Sequence, residues 1–246
     1  MFKPSLTQTI STTIATIRRD PLILTPYILF FITIHLLAPW IQDVPKTNPL
    51  TWSQTTWLLL ATQWLAELLI KSTTIAIAIE TYTHLASPMK GALSNITHIL
   101  VTRFHKILIS TIVLAIPLSS ILWINSGVTP TSPQIGLVWI IIALALIPFG
   151  LMAELLPTII LKENTSILGG FKQVISYMRH AFRSILILIT LMMTILMITL
   201  ILSALVSTIP LLGESLLLPL IQGTGYAIMY TLNLVLYELT TANTTT

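Results

Sequence analysis

Two hydrophobic patterns alternate along the chain. One is a long run with almost no charge. The other is a shorter segment whose apolar residues return every three or four positions. Residues 154–190, ELLPTIILKENTSILGGFKQVISYMRHAFRSILILIT, hold both. After the polar break at Lys162–Asn164, Thr165 or Ser166 can cap a helix start. Leu168, Phe171, Ile175, Met178 and Phe182 then mark one helix face, with Lys172, Arg179, His180 and Arg183 mostly off it. Apolar on one side and basic on the other, such a helix suits the plane of a membrane surface. From Ser184 to Ile209 the chain is almost wholly apolar, long enough to span a hydrocarbon core of about 30 Å.

The same logic predicts six spans: Leu22–Ile41, Trp57–Ile79, Ile107–Ile124, Ile135–Leu161, Ser184–Ile209 and Leu216–Tyr237. Asp20 and Pro21 open the first as cap and first helical residue, and Pro26 predicts a mild kink one turn later. Trp40, Trp52 and Trp57 flank the loop Gln42–Gln54 as an aromatic belt. Ser87 and Pro88 start a second amphipathic stripe of Met89, Leu93, Ile96, Leu100 and Phe104. Pro148, Gly150 and Pro157 interrupt the fourth span, with Glu154 between them. Uncharged Asn125–Gln134 and the turn at Pro210, Gly213 and Glu214 join later spans, and Gly223 and Gly225 allow close helix contact in the sixth. The first twenty residues carry Leu6, Ile10, Ile14 and Ile17 at helical spacing, closed by Arg18 and Arg19. Ser/Thr-rich and free of acid up to Asp20, they resemble a mitochondrial transit peptide. They equally fit an interfacial helix, which explains more because the pattern recurs twice.

Composition overrides the soluble-domain prior. Charged residues make up 8% and apolar residues 54%, too little charge for the surface of a soluble fold of this length. Cysteine is absent, which excludes disulfides, thiolate metal sites and cysteine nucleophiles. Six spans put both termini on one side. Lys3, Arg18, Arg19, Lys90, Arg103, Lys106, Lys162, Lys172, Arg179 and Arg183 fall on that side, while Lys46 falls on the other. This asymmetry makes the termini cytoplasmic and explains the net charge of +4 without nucleic acid. The expected location is a bacterial or archaeal plasma membrane, the alternative the mitochondrial inner membrane.

The expected fold is therefore all-α, a single membrane domain over residues 1–246 with interfacial helices. Three candidate repeat units, residues 1–84, 85–163 and 164–246, each read as basic amphipathic helix, span, loop, span. The pattern of Leu155–Thr190, the opening SLTQTISTTIATIRRDPLILTPYILFF and the late IPLLGESLLLPL resemble a group of membrane proteins. That group comprises the YciC-like bacterial inner-membrane proteins and the membrane domain attached to some glycerophosphodiester phosphodiesterases. The resemblance implies a membrane domain and does not imply hydrolase activity, because no phosphodiesterase domain is seen in this sequence. This chain has fewer glycines than that group.

Candidate chemistry is sparse. Glu67, Lys71 and Glu154 are ionisable groups inside predicted spans, where such groups mark a pathway or a partner. Glu67 and Lys71 stand four apart in the favourable order for an ion pair, and Glu154 can bond backbone freed by the prolines. Arg18, Arg19, Arg103, Lys106, Lys172, Arg179 and Arg183 are the candidate contacts to anionic lipid. His98 and His105 are seven apart and lack a further ligand, so no metal or cofactor is expected. No serine has a histidine or lysine base pattern beside it. Two function classes remain. One is a non-enzymatic, lipid-interacting membrane protein or accessory subunit of a larger membrane complex, with lipids and membrane subunits as partners. The other is a small-solute or ion transporter using Glu67, Lys71 and Glu154.

Overall fold

A computed structural model describes residues 4–41, 54–84, 92–126, 133–209 and 216–242. The expectations about the loop 42–53, the tryptophan belt, Ser87 and Pro88, the uncharged loop at 127–132 and the turn at 210–215 lie outside the residues or side chains described. Among the described residues the chain is all-helical, without strands. In order come α1 (Leu6–Arg19), a 3-10 helix (Pro21–Leu24), α2 (Thr25–Ile41), α3 (Gln54–Thr83), α4 (Ala92–Ser126), α5 (Pro133–Glu163), α6 (Ile167–His180), α7 (Phe182–Ser207) and α8 (Leu217–Thr241).

Several boundaries have local causes. Ser5 caps α1 by accepting from the Gln8 N–H at 3.1 Å. Asp20 closes α1 through its own N–H to the Thr16 carbonyl, and its carboxylate accepts from the Leu22 N–H at 3.0 Å, with Pro21 next. The chain turns 99° at this corner, between α1 and the segment Pro21–Leu37. Pro26 sits in the first turn of α2, where its missing N–H costs no helical bond. Ser166 caps α6 by accepting from the Gly169 N–H at 3.1 Å. Asn164, with φ 50°, ends α5 in the left-handed conformation that asparagine tolerates.

Two expectations change. The second amphipathic segment is no separate helix: α4 runs unbroken for 35 residues, about 52 Å. Between Phe104 and Ile107 it has no counterpart of the Asp20-Pro21 corner. α5 likewise continues through Pro148 and Pro157 as one helix. By length and composition among the described residues, two helices are apolar enough to cross a membrane, Leu93–Ala115 and Phe182–Ser207. A third is gained if the bent pair Leu6–Arg19 and Pro21–Leu37 is one span.

The chain divides into two compact units, Met1–Thr97 with Arg183–Thr246, and His98–Phe182. In the first, α8 packs against α1, the 3-10 helix, α2 and α3. Gly223 makes this possible: a Cβ there would lie 2.6 Å from Ile28 Cα and 2.7 Å from Ile28 N, so the backbones of α2 and α8 touch. Gly225 leaves room for the Thr199 side chain of α7 in the same way. In the second unit α6 lies on α5, and a Cβ on Gly170 would meet Ile160 Cγ1 at 3.0 Å and Leu156 Cδ1 at 3.1 Å.

Which faces are inside is the main feature of both units. The buried residues of α1 are Thr9, Thr13 and Thr16, while Leu6, Ile10 and Ile14 are exposed. In α6, Gly170, Val174 and Tyr177 are buried; Leu168, at 74% exposure, Ile175 and the following Phe182 point outward. In α7, Ser184, Thr199 and Ser203 are among the buried residues, and Met193, Met197, Leu200 and Leu205 are exposed. Several hydroxyls bond their own helix, while those of Thr74, Thr158 and Ser203 are buried with no partner among the described residues. Thr9 donates to the Ser5 carbonyl at 3.0 Å, Thr13 to Thr9 at 2.8 Å and Thr16 to Thr12 at 2.8 Å.

The contact at Gly223 yields a prediction. Gly223→Leu should lower stability by about 1–3 kcal/mol, the usual cost of overpacking. Gly150→Leu, where an added Cβ meets nothing within 4 Å, should leave the melting temperature close to wild type. Thermal unfolding of the detergent-solubilised chain measures both.

Candidate functional site

Polar side chains gather in the interior of the first unit. On α3, Lys71, Ser72, Thr74, Glu80 and Thr81 are all buried. α3 packs against α8, whose Thr231 and Asn233 are buried too. Lys71 is only 8% exposed. Its Nζ lies 4.7 Å from the centroid of the Tyr230 ring, within reach of the negative π face. Tyr230 stacks on Tyr27 at 5.2 Å, Tyr27 on Tyr226 at 5.8 Å, and Tyr226 leans on Phe31 at 5.2 Å. A desolvated cation over such a ring gains about 2 kcal/mol. The tyrosines thus offset part of the cost of holding an ammonium away from water.

The predicted trio of intramembrane charges does not share one environment. Lys71 is buried in the first unit, Glu67 is exposed one turn away on α3, and Glu154 is half-buried on α5 in the second unit. A different carboxylate is the buried one. Glu80, 6% exposed, lies 3.3 Å from His84 Nε2 and accepts from Asn95 Nδ2 at 3.0 Å. Glu80 was read as the end of a span, so its burial was not anticipated. The i,i+4 spacing to His84 is the signal that could have drawn notice.

The basic residues divide into two groups. Arg18, Arg19, Lys172, Arg179 and Arg183 are exposed. Arg103 and Lys106 instead turn toward the end of α5. Arg103 Nη1 donates to the carbonyl of Leu161 and, at 3.4 Å, to that of Lys162. Lys106 Nζ donates to Asn164 Oδ1 at 3.1 Å. Cations at a helix C-terminus meet the negative end of its dipole and its unused carbonyls.

Reaction chemistry finds little footing. His180 Nδ1 lies 2.8 Å from the Ser176 carbonyl and 3.4 Å from the Ser176 hydroxyl, on an exposed turn. When Nδ1 donates to that carbonyl it cannot also take the serine proton. This pair brings a serine and a histidine together at the end of α6, where the sequence reading saw none. Among the described residues no group of three or more histidines and carboxylates could hold a metal.

Tyr82, near the end of α3, titrates away from its ordinary value. Burial raises its pKa above 10.0, and the Glu238 carboxylate adds to the rise. A raised folded-state value favours the protonated phenol. Its contribution to stability is therefore fully present below about pH 10, the unfolded value, and is lost as pH rises through the folded value. Absorbance titration should show Tyr82 ionising after exposed tyrosines, and Glu238→Gln should bring it part of the way back. In comparisons with known proteins, the chain matches no family model, no curated protein and no solved structure.

Proposed function

We propose that the chain is an integral membrane protein of six spans, without catalytic chemistry of its own. In this reading it contacts anionic lipid through interfacial basic helices, either as a membrane-organising protein or as an accessory subunit of a larger membrane assembly. One observation carries the proposal: α1 buries Thr9, Thr13 and Thr16 with Leu6, Ile10 and Ile14 exposed, and α7 buries Ser184, Thr199 and Ser203 with Met193, Met197, Leu200 and Leu205 exposed. In water that arrangement exposes apolar area with nothing gained. In hydrocarbon it is the stable one, since small residues let helices approach and lipid tails cover the rest.

Six spans are supported by helix length. α2, α3, α4, α5, α7 and α8 hold 17, 30, 35, 31, 26 and 25 residues, and about 17–25 suffice to cross. Composition alone undercounts them. The polar residues that dilute α3 and α8, among them Lys71, Ser72, Thr74, Thr231 and Asn233, are buried and touch no lipid. In α4 the uncharged run from Ile107 is the better span than a window centred on Arg103. The 99° corner after Arg19 suits a surface helix turning into a span, with Arg18 and Arg19 at headgroup level. The resemblance to the YciC-like proteins agrees with this reading. Both termini are cytoplasmic in it, in a bacterial or archaeal plasma membrane.

The chain has no cysteine, so single-cysteine labelling has a silent background. In native membranes Ile10→Cys and Ile14→Cys should resist a water-soluble maleimide, while Arg18→Cys reacts. Ala242→Cys should be reached from the side that labels Arg18→Cys, and Lys46→Cys only from the opposite side. Equal reaction of Ile14→Cys and Arg18→Cys would place α1 in water and end the proposal.

Solute or ion transport is the second reading, and the burial of Lys71 favours it, since an ammonium at depth often serves a pathway. Liposomes carrying the chain should then show a solute or ion flux that Lys71→Gln abolishes. Flux unchanged by Lys71→Gln, Glu67→Gln and Glu154→Gln removes these residues from transport.

A further inference from the structure

In the second unit, Arg103 and Lys106 of α4 reach the joint between α5 and α6, a stretch that also holds the Glu163 carboxylate. The α5 end is already closed: the Asn164 N–H bonds the Ile160 carbonyl at 3.1 Å, and Arg103 Nη1 serves the Leu161 and Lys162 carbonyls. Arg103 Nε is buried with no partner among the described residues. Its guanidinium therefore reaches the joint with a donor unspent. Lys106 commits one of its three ammonium donors, to Asn164 Oδ1. Within the same turn Thr165 Oγ1 is buried, again with no partner among the described residues. Arg103 and Lys106 stand three apart on α4, hence on one face, and both address the four-residue stretch from Leu161 to Asn164.

We propose that Arg103, Lys106 and Thr165 form a discrete binding site for a phosphate group. A phosphate presents several charged oxygens in different directions. A guanidinium edge, an ammonium and a hydroxyl can meet them together, and charge-assisted bonds of this kind are the strong ones. A single carboxylate has fewer oxygens to offer. The site lies just before the uncharged run that begins at Ile107, at the level of lipid headgroups if α4 spans from there. Only the choice of a lipid as the source rests on the membrane reading. The site itself does not, and a soluble phosphate could fill it with the same contacts. Arg103 and Lys106 thereby differ from Arg18, Arg19, Lys172, Arg179 and Arg183, which lie at an exposed surface.

The full chain in detergent tests this, with thermal unfolding followed against added ligand. Dihexanoyl phosphatidylglycerol should raise the melting temperature of the wild type. Lys106→Gln should weaken the apparent affinity on the order of tenfold, the loss of one charge-assisted bond. Arg103→Lys keeps the charge and loses the guanidinium edge, and should weaken it comparably. Lys106→Gln carries the test if Arg103→Lys does not fold. A shift produced by inorganic phosphate alone, with the same Lys106 dependence, assigns the site to a soluble phosphate. No shift with either anion overturns the proposal, as does a loss from Arg18→Gln as large as that from Lys106→Gln. These readouts do not depend on how α1 is labelled in membranes, so failure here and failure of the membrane reading are separable.

Discussion

A helix that faces hydrocarbon has no water to satisfy what it leaves unpaired, and each such group costs several kcal/mol. In the proposed membrane setting, this constraint organises the chain. Many of its threonines and serines donate back to the carbonyl one turn earlier, as Thr190 does to Leu186 and Thr194 to Thr190, both at 2.8 Å on the outward side of α7, although buried Thr74, Thr158 and Ser203 have no partner among the described residues. A hydroxyl so engaged can face lipid or a neighbouring helix alike. The inward faces can then be built from small residues, and the backbones come together at Gly223 and Ile28. Large apolar side chains such as Met193, Met197, Leu200 and Leu205 stay on the outside, beside a core that still holds Ile75, Leu188 and Leu234.

The interior of the first unit is consequently polar as well as tightly packed. Lys71 is tolerated there because Tyr230 offers a ring face, and Tyr230 is held by Tyr27 and Tyr226. The threonine stripe of α1 covers α8 from another side. In the second unit the corresponding burden falls on Arg103 and Lys106, which close the end of α5 from α4. Both arrangements put a cation where it stabilises a neighbouring element.

Much of this was legible where the cause is local. Asp20 with Pro21, and Ser166, marked helix starts that the structure keeps, because capping depends on neighbours in sequence. The apolar stripes of α1 and α6 were visible by period, and Gly223 announced a close approach. The break at Ala181 between α6 and α7 has no such mark, with neither proline nor glycine beside it. The continuity of α4 went unseen because a change in surface chemistry at Lys106 was taken for a change in helix. Long-range contacts left no trace in periodicity: nothing near Lys71 points to Tyr230, and nothing near Arg103 points to the end of α5. The three amphipathic segments also join their successors differently, by a 99° corner, by no break and by a one-residue break. A shared residue pattern did not fix a shared joint.

The central claim is that hydrocarbon lies against the isoleucine, leucine and methionine faces. Spin labels placed singly along α7 in lipid vesicles test it most directly, through collision with oxygen and with a water-soluble nickel complex. The account predicts oxygen access rising at Met193, Met197, Leu200 and Leu205, falling at Leu188, Thr199 and Ser203, and low nickel access throughout. Oxygen access out of phase with that pattern, or nickel access along the outward face, would contradict it.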